Sequence, residues 1–146
     1  MSAPPWRRGG IGALLALAVV GCDRPPPPAP PDTGSRAAAQ GFFAAIIRQD
    51  WSSAHAALQE EDRRRLSPER FAALARQYRQ GLGIEPQGVH LRACEERGDE
   101  AIAHVTLTGR KPDGRQGHFR DAISLRRAES GWVVVLPANF GQPPSQ

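Results

Sequence analysis

Ala101-Ile102-Ala103-His104-Val105-Thr106-Leu107-Thr108 alternates between two rows along its whole length. Ala101, Ala103, Val105 and Leu107 form an apolar row, and Ile102, His104, Thr106 and Thr108 a more polar one. A period of two marks a strand with one buried face. Lys111-Pro112-Asp113-Gly114 follows as a turn, because proline sets φ and Asp-Gly completes the bend. A second run then sets Phe119, Ile123 and Leu125 against His118, Arg120, Ala122, Ser124 and Arg126. Glu129-Ser130-Gly131 turns again, and Trp132 to Leu136 is apolar on both faces until Pro137 ends it. Upstream, Val89, Leu91 and Ala93 alternate with His90, Arg92 and Cys94, and Glu95 to Asp99 forms a turn. Four runs joined by short turns predict an antiparallel meander.

The residues before this sheet have the spacing of helices. Ala39, Phe42, Phe43, Ile46 and Ile47 lie on one face of a helix over about Ser35 to Arg48. Asp50 suits an N-cap for a short second helix with Trp51, Ala54, His55 and Leu58 on one side. His55 reads as an edge-packing residue rather than a base. Glu60 to Arg65 reads as a charged loop or helix end. Its Arg63-Arg64-Arg65 run suits lipid headgroups or, more plainly, a solvated face. Ser67-Pro68-Glu69 starts a third helix: a cap, a proline at the first position and an acid at the positive dipole end. Phe71, Leu74, Ala75 and Tyr78 make its buried face, and Gly81, Gly83 and Pro86 stop it. Three N-terminal helices on one face of a four-stranded sheet give an α+β domain.

Composition narrows the function. The chain has 146 residues and a formal charge of +4. Without Arg7 and Arg8 the charge falls to about +2, too mild to argue for nucleic-acid binding. Lys111 is the only lysine. Its four histidines, His55, His90, His104 and His118, never fall at ligand spacing, and no CxxC occurs, so neither a metal nor another cofactor is expected.

The N-terminus carries a different signal. Arg7-Arg8 precedes an apolar run from Ile11 to Val20, then Gly21-Cys22, then a proline tract from Pro25 to Pro31. Positive residues before a short apolar core mark an export signal. The run is shorter than the roughly 20 residues that span a bilayer. Val19-Val20-Gly21-Cys22 resembles the lipobox of bacterial lipoproteins. That resemblance implies removal of residues 1–21 and acylation of Cys22 with palmitate-type chains, which anchor the mature protein in a membrane. It implies a domain facing the periplasm or the exterior, and Asp23 resembles the signal that keeps such proteins at the inner membrane. Residues 22–34 are then a tether, and polyproline geometry of about 3.1 Å per residue lets it reach roughly 35 Å. The chain has two cysteines. With Cys22 acylated, Cys94 stands alone and reads as a small buried hydrophobe.

Residues 35–137, with Ala-x-x-Phe-Phe-x-x-Ile-Ile, Asp50-Trp51-x-x-Ala54, a capped helix, four strands and Gly131-Trp132 on the last, resemble the NTF2-like (cystatin-like) superfamily. The resemblance implies a curved sheet closing a cone around the helices. Some members use that cone as an isomerase or cyclase pocket, others bind a ligand, and others form homodimers through the outer sheet face. The sequence shows no strand between the second and third helices, where many members have one. Residues 138–146 read as a flexible tail. By alternation Asp121 shares the apolar face with Phe119, Ile123 and Leu125, where a carboxylate would have a raised pKa. Two readings follow. In the first the domain is a non-catalytic module for a protein or a small apolar ligand, and Asp121 pairs with Arg92, Arg126 or Arg127 or sits at a bulge. In the second it is an enzyme with Asp121 as general base and Tyr78 as donor.

Overall fold

The computed structural model describes residues 24–29 and 31–142. Residues 1–21, read above as an export signal, together with Cys22, Asp23, Pro30 and residues 143–146, lie outside the described residues. Four helices lead the domain: α1 (Ser35–Arg48), α2 (Trp51–Ala56), α3 (Glu60–Arg65) and α4 (Pro68–Gly81). Four strands follow: β1 (Glu85–Arg97), β2 (Glu100–Arg110), β3 (Gln116–Ala128) and β4 (Gly131–Val135). They pair antiparallel in the order β1-β2-β3-β4, the meander that the alternation predicts.

The core forms where α1 meets the inward row of the sheet. Phe42, Phe43 and Ile46 are buried against a layer that includes Ala103, Val105, Leu107 and Leu125. The caps follow the sequence. Asp50 accepts from the amide of Ser53 (3.1 Å) and from its hydroxyl (2.6 Å), and these bonds hold its carboxyl below its ordinary range. Ser67 accepts from the amide of Arg70, with Pro68 in the first turn. Arg79, itself buried, donates to the carbonyls of Ile46 (3.2 Å) and Ile47 (2.8 Å). It thereby satisfies the C-terminal end of α1, where carbonyls lack helical partners.

Four features depart from the sequence reading. The charged stretch from Glu60 to Arg65 is a separate fourth helix rather than a loop or the end of another helix. Its three acids lie in the first turn and its three arginines in the last, the order that the helix dipole favours. Arg64 pairs with Glu60 and Arg65 with Asp62, so part of this basic run is already matched within its own helix. Between α2 and α3 a single parallel bridge joins Leu58 to Val134. The amide of Gln59 donates to Val134 (2.8 Å), and that of Val134 donates to Ala57 (2.9 Å). Within β1 the register shifts between Leu91 and Ala93, so Arg92 is an extra residue and Cys94, not Ala93, turns inward. There the Cys94 sulfur sits 3.2 Å from the Ser35 hydroxyl. Lastly, residues 138–142, assigned above to a tail, fold back: Phe140 is 8% exposed and joins the core.

At the Glu96 end of the sheet, the chain is clasped where Thr33 leads into α1. Thr33 donates to Glu96 through its amide (2.8 Å) and its hydroxyl (3.0 Å), and Ser35 also donates to Glu96 (2.5 Å). Thr33 Oγ1 accepts in turn from Arg127 (2.6 Å) and from the indole of Trp132 (3.0 Å). These bonds, that of Ser35 first, hold the Glu96 carboxyl below its ordinary range. The outer sheet face, proposed from the resemblance as a homodimer surface, carries His90, His104 and Arg120. Ile102 is the one large hydrophobic that is exposed among the described residues.

Asp62 ties α3 to the chain after β4. It is 5% exposed and accepts from the amide of Leu136 (2.9 Å), from Gln59 (3.1 Å) and from Arg65 (3.0 Å). Asp62→Ala leaves the Leu136 amide without a partner and is expected to cost about 1–3 kcal/mol. Asp62→Asn, which keeps an acceptor, is expected to cost less. Urea unfolding checks both: the midpoint falls at constant slope.

Candidate functional site

Register places Asp121. It lies opposite Val105 in the β2–β3 ladder, so it shares the parity of the buried Ile123 and Leu125. Its side chain is therefore on the inward face, as the alternation predicts, but only half-buried, near the open rim between β3 and α4. Tyr78 reaches it from α4. The phenol donates to Asp121 Oδ2 at 2.6 Å, and the amide of Ala122 donates to Oδ1 at 2.8 Å. Arg92, Arg126 and Arg127 make no ion pair with Asp121 among the described residues. The partner is the phenol rather than an arginine, because Arg92 and Arg126 are exposed and Arg127 lies in the tether clasp.

The segment after β4 completes the site. Phe140 stacks on Tyr78 (ring centroids 5.0 Å, 21°) and on Phe71 (6.0 Å, 3°) and contacts Phe42 at 6.4 Å. Gly141 makes this return possible. It has φ 73°, and a Cβ there would lie 2.3 Å from the Leu74 carbonyl of α4, so only glycine allows both the conformation and the approach. The result is a cavity of about 620 Å³, walled by Phe42, Phe43, Phe119, Ile123, Pro137 and Phe140. Tyr78, Asp121, Gln77, Asn139 and Gln142 supply its polar atoms. Few polar groups in a mostly apolar concavity is the usual make-up of a small-molecule site.

The electrostatics assign Tyr78 one role. Burial first, and then the charge and hydrogen bond of Asp121, push the phenol far above its ordinary value. It stays protonated throughout the physiological range and acts as a donor, not as a base. Its proton already points at Asp121, whose carboxylate has acceptor capacity left beyond these two bonds. The pair can therefore accept a hydrogen bond from a hydroxyl or amine entering the cavity. Asp121 and Tyr78, both singled out from sequence, come together here; Phe140 and Gly141 were missed. The available signal was an aromatic next to glycine just after Pro137, in a stretch otherwise small and polar. Among the described residues no group of three or more His, Cys, Asp or Glu side chains is placed to hold a metal ion.

No family model matches the chain, and no curated protein matches it in sequence. Solved structures do resemble it. A SEC-C motif containing protein from Rhodopseudomonas palustris superposes with a TM-score of 0.54 at 14% identity, over 68% of this chain and 73% of that one. A second SEC-C motif containing protein, from Psychrobacter arcticus, gives 0.50 at 10% identity, over 66% of this chain and 55% of that one. An NTF2-like protein from Campylobacter jejuni gives 0.48 at 12% identity, over 70% and 97%. The first two show a shared fold and carry no shared chemistry. The architecture itself is α+β, with helices packed on a four-stranded antiparallel sheet.

Tyr78 is the only tyrosine, so tyrosinate absorbance reports this site alone. Its raised folded pKa leaves stability unchanged while both states hold the proton. Stability is then lost as pH rises above about 10, where the unfolded chain ionises first. Alkaline titration is expected to show no tyrosinate signal until the protein unfolds. Tyr78→Phe is expected to flatten the decline in stability above that pH.

Proposed function

We propose that this chain is an envelope lipoprotein whose domain is a non-catalytic binding module for a small, mostly apolar ligand. The ligand would carry one hydroxyl or amine, received by Asp121. The observation that carries this reading is the Tyr78–Asp121 pair at the rim of a cavity walled by four phenylalanines. Aromatic walls supply affinity through desolvated area, and a single fixed polar contact sets orientation. The anchoring half rests on Val19-Val20-Gly21-Cys22 and on the proline tract after it, both read from sequence. Acyl chains contribute about 0.8 kcal/mol per buried methylene, so two or more hold a protein at a membrane durably.

An isomerase-like or cyclase-like reading uses the same carboxylate as general base toward an acidic C–H, with Tyr78 as donor. It is favoured by the position of Asp121 within reach of a bound ligand. Against it stands the committed phenol proton, since a donor that must stabilise a developing oxyanion has first to leave Asp121.

The two readings separate experimentally. Binding of 2-naphthol to the full chain is expected to saturate, and Phe140→Ala to weaken it by about tenfold, the loss of roughly one buried ring's worth of contact. Asp121→Asn should leave the fold intact and weaken binding only a few-fold. Equal binding in both variants would remove the cavity from the ligand's path. A turnover present in the wild type and abolished in folded Asp121→Asn would make the enzyme reading the right one. For the anchor, exported Cys22→Ser protein is expected in the soluble fraction and wild type in the membrane fraction.

A further inference from the structure

A second concavity flanks the same C-terminal half of α4. It has a volume of about 540 Å³ and opens between the C-terminal end of α4, the start of β1 and the β2–β3 turn. Four cations line it, Arg76, Arg79, Arg110 and Lys111, against one carboxylate, Glu85. Arg79 is committed to Glu85 and to the carbonyls of Ile46 and Ile47. It therefore cancels the acid and the negative helix end that would otherwise oppose an anion. The nearby Asp113 is taken by Arg115, 2.6 Å away.

That leaves three cations from three separate elements, none in an ion pair with a carboxylate among the described residues. Each is held by something other than an acid. The guanidinium of Arg76 lies 5.9 Å from the centroid of the Trp51 ring. Arg110 donates one of its five hydrogen bonds to the Gly114 carbonyl (3.1 Å). The stem of Lys111 lies over Gly117, where a Cβ would meet its Cγ at 3.0 Å and its Cε at 3.1 Å. Cations that are positioned but unneutralised lower the ordering cost of binding an anion.

We propose that this cleft binds a phosphate-bearing ligand through Arg76, Arg110 and Lys111. Guanidinium forks and an ammonium match phosphate oxygens in geometry as well as charge. A soluble phosphate ester and a phospholipid headgroup share this chemistry. The inference does not depend on the Asp121 cavity.

Titration calorimetry of the full chain with inorganic pyrophosphate tests it. Saturable binding that weakens as salt is raised is expected. The combined Arg76→Gln, Arg110→Gln and Lys111→Gln variant is expected to lose at least about tenfold in affinity with its melting temperature unchanged. Arg63→Gln with Arg64→Gln, a loss of two positive charges elsewhere, is expected to leave binding as it was. Absence of saturable binding, or equal weakening by the Arg63 and Arg64 changes, would overturn the proposal. Displacement of bound pyrophosphate by phosphatidylglycerol but not phosphatidylcholine vesicles would support the site and assign it to headgroups. No displacement by either would support it and assign it to a soluble phosphate.

Discussion

Removal of the aromatic face of α1 from water is the event on which this fold depends. Phe42, Phe43 and Ile46 are almost wholly buried, in a core that takes in the inward rows of the strands. That requirement sets the phase of the strands. A slip of one residue would expose Val105, Leu107, Ile123 and Leu125 together. The position of Asp121 is a by-product of the same phase. Its parity is forced by its neighbours, so a carboxylate sits on the apolar side and must find a donor. Tyr78 is that donor, held in turn by Phe140.

Polar groups that cannot reach water are handled in the same way elsewhere. Arg79 satisfies the end of α1, and Asp62 satisfies the amide of Leu136 and joins α3 to the closing segment. Among the described residues no buried side-chain nitrogen or oxygen is left without a partner. The cavity near Asp121 lies at the rim of the core, where Asp121 is only half-buried. The cations of the second cleft differ, because they are placed by stacking, a carbonyl and stem packing rather than by acids.

The two concavities and the tether divide the molecule along its sheet. The chain enters at the Glu96 end, the aromatic cavity opens along β3, and the basic cleft lies at the Glu85 end. Short hairpins make this arrangement stiff, since each strand is held in register by its neighbour along nearly its whole length.

Much of this was legible in the residues themselves. Alternation in residues 101–108 and 118–126 determined the strands and the side on which Asp121 lies. Asp50 and Ser67-Pro68 determined where two helices start, because capping and alternation are local and need no partner. The helix at Glu60–Arg65 was half-visible, as charge sorted by sign without an apolar face. Only the tertiary structure decided the rest. The bulge that turns Cys94 inward answers to β2, not to any residue of β1. The return of Phe140 depends on Gly141 fitting against Leu74, a contact between distant parts of the chain. The choice of Tyr78 over an arginine for Asp121, and the meeting of Arg76, Arg110 and Lys111, likewise required α4 to be laid across the sheet. Residue patterns report what each segment must bury; which side chains then meet is a matter of packing.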